Sequence, residues 1–350
     1  MVSIPDSIDD VTASWLADAT GLPITAVKTE QIGAGIGVIG AVYRVQLDGG
    51  DGCPPSVVVK LPGLDEAAVF TGTMLRMYIR EVRFFERLAA DAPVRVPRTY
   101  FTALDEETSK FVVVMEDLGD LRVVDQVAGM ALTDAEKAVD ALARWHATWW
   151  GRAEPLAEEG VTVSLGDPIY PAVLPIVFAE GWAKLEAEGT LPPAITRVGP
   201  GWSNVFAGLL QDIVGGATTM VHGDYRADNI LFTEEGEVAL LDFQLIGTGS
   251  GAYDLAYFVT QSLEPEVAAA NERALFDRWV DGLRAAGVPE ADLEGLWDLY
   301  RKAALFCLVY PVVACRGMDL TDPRQKALVD CMNGRFARAV DELRLDELTS

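Results

Sequence analysis

The sequence predicts an α+β chain of two lobes, a β-rich N-terminal lobe over residues 1–116 and a mostly helical C-terminal lobe over 117–350. Three observations point there. The 350 residues exceed the roughly 250 to 300 at which single hydrophobic cores stop growing. Short apolar runs of strand composition, Ser56–Leu61 and Phe111–Met115, fall before residue 117, whereas helical periodicity dominates after Thr133. The stretch Met220–Phe243 then sets a polar loop between short apolar strands, so its charged side chains sit at rigid strand ends.

Composition narrows the partners. Half of the residues are apolar, and 28 Lys+Arg against 53 Asp+Glu give a net charge of −25. Such a surface repels nucleic acid and anionic membranes. The acidic residues are spread along the chain, as solvating charges are. Cys53, Cys307, Cys315 and Cys331 form no C-x-x-C pair and fit a reducing cytoplasm. The first residues lack the basic start and apolar stretch of a signal peptide. The apolar run Leu305–Cys315 is shorter than the about 20 residues that a membrane span needs, so a buried helix is expected there and no membrane association.

Taken in order, residues 7–20 read as a short amphipathic helix. Gly35, Gly37, Gly40 and Val42 then match G-x-G-x-x-G-x-V. Glycines let a backbone approach phosphate closely, because no Cβ intervenes. Dinucleotide-binding chains share this spacing, but there the glycines open a helix. Here Ala41–Leu47 alternates and is rich in strand formers, so a hairpin over a nucleotide is the reading preferred.

Lys60 ends the next apolar strand, and a buried ammonium is costly unless paired. Its expected partner is Glu81, beside the stripe Leu75, Ile79, Val82, Phe85 and Leu88 of a helix. The competing reading is a solvated lysine and an exposed helix charge with no link between them. Phe101 leads into a hairpin turning near Asp105–Glu107, whose return strand ends at Glu116–Gly119. Thr133–Glu136 carries the signature of a capping box opening a helix that reaches Trp150. His146 on that helix is expected to be a buried, hydrogen-bonded imidazole. Prolines 168, 171 and 175 break the pattern before a helix near Phe178–Ala187, where Tyr170, Phe178 and Trp182 are core or substrate lining. Further helices are expected over 266–286, 292–317 and 322–343.

The central loop carries the chemistry. Phosphoryl transfer asks the protein for a carboxylate that accepts a hydroxyl proton and for oxygen ligands to Mg²⁺. Asp224 suits the first role and Asn229 and Asp242 the second. His222, Asp224 and Asn229 fall on the His, Asp and Asn of the kinase pattern H-R-D-L-x-x-x-N, with Gly223 in place of Arg. The phrase H-G-D-x-x-x-x-N, an apolar strand and D-F resembles the aminoglycoside phosphotransferases, choline kinases and ecdysteroid-kinase-like proteins, and the R-E-V-x-F-F helix is most similar to the last of these.

That resemblance implies a protein-kinase-like fold and an ATP- and Mg²⁺-dependent enzyme acting on a small-molecule hydroxyl. It further implies that Lys60, positioned by Glu81, holds the phosphates under Gly35, Gly37 and Gly40. The Glu116 C=O and Leu118 N–H would meet the adenine edge. Arg226 lies where a cation near the transferred phosphate is expected, or else pairs with Asp228. Asp254, in a G-x-x-D-L-A phrase, would accept hydrogen bonds from the catalytic-loop backbone, or else be an ordinary first-turn acid. No A-P-E element follows, which argues against a protein substrate. The ecdysteroid-kinase-like likeness favours an apolar hydroxylated acceptor. The alternatives are a cationic acceptor of the aminoglycoside or choline type, or a non-catalytic nucleotide-binding module.

Overall fold

The computed structural model describes residues 2–33, 39–189 and 191–349. The chain divides into two compact units, Met1–Leu121 with Leu241–Leu245, and Arg122–Leu240 with Ile246–Ser350.

The first unit opens with α1 (Ala13–Thr20), capped by the Thr12 side chain and ended by Gly21 at φ 72°. A five-stranded antiparallel sheet follows, formed by β1 (Ile24–Ile32), β2 (Gly40–Gly49), β3 (Ser56–Pro62), β4 (Thr99–Asp105) and β5 (Lys110–Glu116) in the order β1-β2-β3-β5-β4. Val57, Val59, Val112 and Val114 are fully buried. They pack with Leu16 and Val45 in one core cluster. Unbroken apolar runs in β3 and β5 thus mark strands covered on both faces.

Between β3 and β4 lie α2 (Glu66–Met74) and α3 (Met77–Arg87). α2 escaped the sequence reading because it has no apolar stripe and buries only Gly72. α3 buries more than the stripe expected of it: Met77, Tyr78, Arg80, Glu81, Val82, Phe84 and Phe85 are inside, while Ile79 is only half-buried. Two adjacent faces of this helix are therefore covered, and Glu81 falls on one of them. Phe84 stacks on Phe243 with ring centroids 3.7 Å apart, and Phe85 meets the same ring edge-on at 5.7 Å. This aromatic cluster holds Leu241–Leu245 in the first unit.

The second unit begins with β6 (Arg122–Val123), α4 (Leu132–Trp149), α5 (Glu154–Glu158), β7 (Val163–Ser164), α6 (Ile169–Glu188) and α7 (Pro193–Val214). Next come β8 (Thr219–Val221), β9 (Ile230–Phe232), β10 (Val238–Leu240), β11 (Gly247–Gly249) and α8 (Ala252–Ser262). It closes with α9 (Pro265–Ala285), α10 (Glu290–Leu293), α11 (Leu296–Phe306), α12 (Val309–Gly317) and α13 (Pro323–Glu342). Its strands form two small sheets, β10-β9-β6 and β7-β11-β8. Every residue of α8 is buried, so this helix is the axis on which the unit packs. The expected α+β architecture is what the chain adopts, an antiparallel sheet unit and a mostly helical one.

Several local expectations differ from the structure. The capping box at Thr133 does not form: α4 starts at Leu132 with Ala131 as its N-cap and no side-chain cap. Asp134, in the box's first turn, instead binds Arg122 through two 2.9 Å bonds. Residues 169–188 form one helix despite their prolines. Pro171 falls in the first turn, where an N–H has no intrahelical acceptor, and Pro175 is carried inside the helix. α7, with Pro193 in its first turn and Pro200 within, was not foreseen. The single helix expected over 292–317 is three, α10 to α12, interrupted at Gly295 with φ 74° and again at Cys307–Leu308. Among the described residues no helix is long and apolar enough to cross a membrane.

Candidate active site

In the first unit, Lys60 lies on β3 opposite Val42 of β2 and Val113 of β5, and only 5% of it is exposed. Its ammonium donates to Glu81 Oε1 at 2.7 Å and to Asp242 Oδ1 at 3.2 Å. Burial alone would lower the Lys60 pKa, but Asp242 and Glu81 outweigh it and the net shift is upward. Burial pushes Glu81 the other way, up from 4.5 to about 7, against the pull of Lys60.

Asp242 reaches Lys60 because its backbone turns through φ 63°, the left-handed region that ordinary side chains rarely visit. The next residue, Phe243, is locked on Phe84. Gly40 opens β2 beside this group. A Cβ there would stand 3.1 Å from Lys60 Cε, 3.2 Å from the Leu61 carbonyl oxygen and 3.3 Å from Gln244 Nε2. A side chain at position 40 would therefore press on the lysine. Gly35 and Gly37, the other glycines of the predicted loop, lie outside the described residues.

Glu116 ends β5. Its backbone N–H donates to the Arg98 carbonyl at 2.7 Å, and its carboxylate takes Arg95 at 2.9 Å and the Arg98 N–H at 3.1 Å. Leu118 is buried. Asp117 between them, which the sequence reading passed over, is the anchor of this segment. It accepts Arg44 Nε at 2.6 Å, Ser56 Oγ at 2.7 Å and the Gly119 N–H at 3.0 Å. Burial would raise its carboxyl, but the Arg44 and Ser56 bonds prevail and hold it below the usual carboxylate range.

In the second unit the loop between β8 and β9 hangs from one buried acid. Asp254, in the first turn of α8, accepts the His222 N–H at 2.6 Å on Oδ2 and the Gly223 N–H at 2.9 Å on Oδ1. His146, wholly buried as expected, contacts Asp254 Oδ2 through Nε2 at 3.1 Å. The supporting role that the resemblance implied for Asp254 is thus the one its geometry fits. Gly223 turns at φ 85°, which only glycine adopts readily.

Asp224 follows. Asn229 Nδ2 donates to its carbonyl oxygen at 2.9 Å and to its Oδ2 at 2.8 Å. Tyr257 donates to Oδ1 at 2.8 Å. Arg226 shares Nε between the two carboxylate oxygens at 3.2 and 3.3 Å and places Nη1 2.6 Å from Asp228. The Arg226–Asp228 pair weighed from the sequence therefore exists, alongside a contact with Asp224. Tyr257 was missed, although it lies three residues after Asp254 and so shares its side of α8.

The structure brings Lys60, Glu81 and Asp242 together in one unit and Asp224, Arg226 and Asn229 together in the other. A profile described as the phosphotransferase enzyme family matches residues 30–288. The chain belongs to that family.

No curated protein matched the phosphotransferase's sequence. Solved structures similar to it include an amicoumacin kinase in complex with AMP-PNP, Ca²⁺ and Ami, at TM-score 0.57 and 14% identity over 95% of this chain and 93% of that one. A choline kinase from Cryptosporidium parvum Iowa II aligns at 0.55 and 9% identity over 91% and 89%. A putative aminoglycoside phosphotransferase from Ralstonia eutropha JMP134 aligns at 0.52 and 17% over 97% and 98%. At these identities the likeness is one of fold.

Proposed function

We propose that this phosphotransferase moves the γ-phosphoryl group of ATP to a hydroxyl of a small molecule in a Mg²⁺-dependent reaction. The observation that carries the reading is Lys60, a nearly dry ammonium held by carboxylates 21 and 182 positions away in sequence. A cation fixed in that way suits the α- and β-phosphates. Gly40 beside it, with Gly35 and Gly37 of the same sequence motif, suits close backbone contact with them. The Glu116 carbonyl and Leu118 N–H, on a segment anchored by Asp117, suit the adenine edge.

In the second unit Asp224 is the proposed base. It accepts the acceptor's hydroxyl proton as that oxygen bonds to the γ-phosphorus. The bond from phosphorus to the bridging oxygen breaks, and its electron pair leaves with ADP. Arg226 is proposed to steady the charge on the equatorial oxygens.

The donor chemistry fits magnesium, which favours one or two protein carboxylates completed by phosphate oxygens and water. Asp242 offers a carboxylate whose side chain is 35% exposed. Asn229 uses its amide nitrogen on Asp224, which leaves its carbonyl oxygen as a hard ligand. Bound there, magnesium would neutralise charge on the β- and γ-oxygens.

For the acceptor, an apolar hydroxylated metabolite is the preferred class, in keeping with the ecdysteroid-kinase-like resemblance. The N-terminal half of α6, Ile169–Val177, supports it: this apolar stretch is only partly covered, and Ile176 is 61% exposed. A cationic acceptor is the second reading, supported by the stacked rings of Tyr257 and Tyr310, 3.9 Å apart, next to an acid.

An ATP-consumption screen over both classes, with Asp224→Asn as the blank, tests the proposal. The variant should keep Mg·ATP binding and lose transfer. Equal turnover by the variant would remove Asp224 as the base. Binding of Mg·ATP with no turnover on any acceptor would favour a non-catalytic nucleotide-binding module.

A further inference from the structure

The Asp224 carboxylate has about four lone-pair sites, and its own unit already fills most of them. Oδ1 takes the Tyr257 hydroxyl at 2.8 Å and Oδ2 takes Asn229 Nδ2 at 2.8 Å. The third donor, Arg226 Nε, is divided between both oxygens at 3.2 and 3.3 Å. Two short bonds on opposite oxygens pin the plane of the carboxylate, and the shared long one is the weakest. An arriving hydroxyl therefore displaces the Arg226 contact, leaving that guanidinium on Asp228, while Tyr257 and Asn229 keep the plane.

Tyr257 is built for this. It is buried, with 4% exposed, and its ring stacks on Tyr310 at an interplanar angle of 18°. The Tyr310 hydroxyl in turn meets the Tyr253 hydroxyl and the Gly223 carbonyl at 3.4 Å. The phenol is thereby tied to the same loop that carries Asp224. Burial, then the Asp224 charge, push its pKa well above the ordinary value, so it remains a donor.

We propose that Tyr257 is a positioning residue for phosphoryl transfer: its hydroxyl fixes Asp224 Oδ1 from α8, so that the carboxylate meets the attacking oxygen in one orientation. This rests on the reading of Asp224 as the base.

Single-turnover release of labelled phosphate from Mg·[γ-³²P]ATP, with water as the acceptor, tests it on the full chain. Wild type, Asp224→Asn and Tyr257→Phe are compared, and Tyr257→Phe keeps the ring and its stacking. The expected result is a rate about 10- to 100-fold below wild type for Tyr257→Phe, the loss of one hydrogen bond to a charged group. KM for ATP should stay unchanged, and the melting temperature should stay within a few degrees of wild type. A Tyr257→Phe rate equal to wild type, with Asp224→Asn inactive, overturns the proposal and leaves the base intact. A loss shared between rate, KM and melting temperature would make Tyr257 merely structural and also overturns it. Wild-type activity no higher than Asp224→Asn removes the base, and the role of Tyr257 with it.

Discussion

Trp279 donates its indole N–H to Nδ1 of His146 at 3.0 Å, and this bond decides how the imidazole is protonated. An indole nitrogen only donates, so Nδ1 must accept, and the ring proton sits on Nε2, facing Asp254 Oδ2. A tryptophan on α9 thereby sets the tautomer of a histidine on α4, which steadies the acid that suspends the loop.

Replacing His146 by Ala should leave the Trp279 N–H without its acceptor, remove one donor from Asp254 and open a cavity. The expected destabilisation is about 2 to 4 kcal/mol, read from urea unfolding as a lower midpoint with an unchanged slope. A change below about 0.5 kcal/mol, the level of an ordinary surface substitution, would contradict the relay.

Glu81 gives a pH dependence with a definite sign. Its folded pKa, raised from 4.5 to about 7, means that the native state binds this proton more tightly than the unfolded chain. Its contribution to stability is thus fully present below about pH 4.5, declines between there and pH 7, and is constant above. Calorimetry from pH 5 to 8 should show the melting temperature of wild type falling relative to Glu81→Gln. A parallel pair of curves would mean that Glu81 ionises as an ordinary carboxyl.

Gly40→Ala should act on nucleotide more than on fold. The added methyl would crowd Lys60 Cε at 3.1 Å and the Leu61 carbonyl at 3.2 Å, so the strand pairing can stay while the ammonium gives way. The expected outcome is a roughly tenfold or larger rise in the dissociation constant for ATP, about 1.4 kcal/mol, with a melting temperature within a few degrees of wild type. Unchanged affinity in a titration would show that Lys60 has room to spare.

Much of this arrangement was legible in the chain because it depends on local pattern. The apolar runs of β3 and β5 state their burial directly, and the spacing from His222 to Asn229 fixes a loop between two strands. Lys60–Glu81 was readable because a charge at the end of an apolar strand needs a partner, and a helix with a glutamate beside its stripe follows it.

What stayed hidden depends on tertiary contact. Tyr257 reads as one more apolar residue of a buried helix until its hydroxyl is seen on Asp224. Asp117 reads as a turn acid until Arg44 and Ser56 close on it. α6 and α7 were obscured by prolines whose cost the packing of the unit absorbs, and the Thr133 capping box does not form because the helix begins at Leu132, one residue before that threonine, with Ala131 as its N-cap.

The assignment of Leu241–Leu245 to the first unit bears on how the chain is made. Phe243, buried without exposure, fills a place between Phe84 and Phe85, yet it leaves the ribosome more than a hundred residues after the last strand of the sheet it completes. Translation order and domain order therefore disagree. The N-terminal unit must wait, with an aromatic socket open, until most of its neighbour has been synthesised.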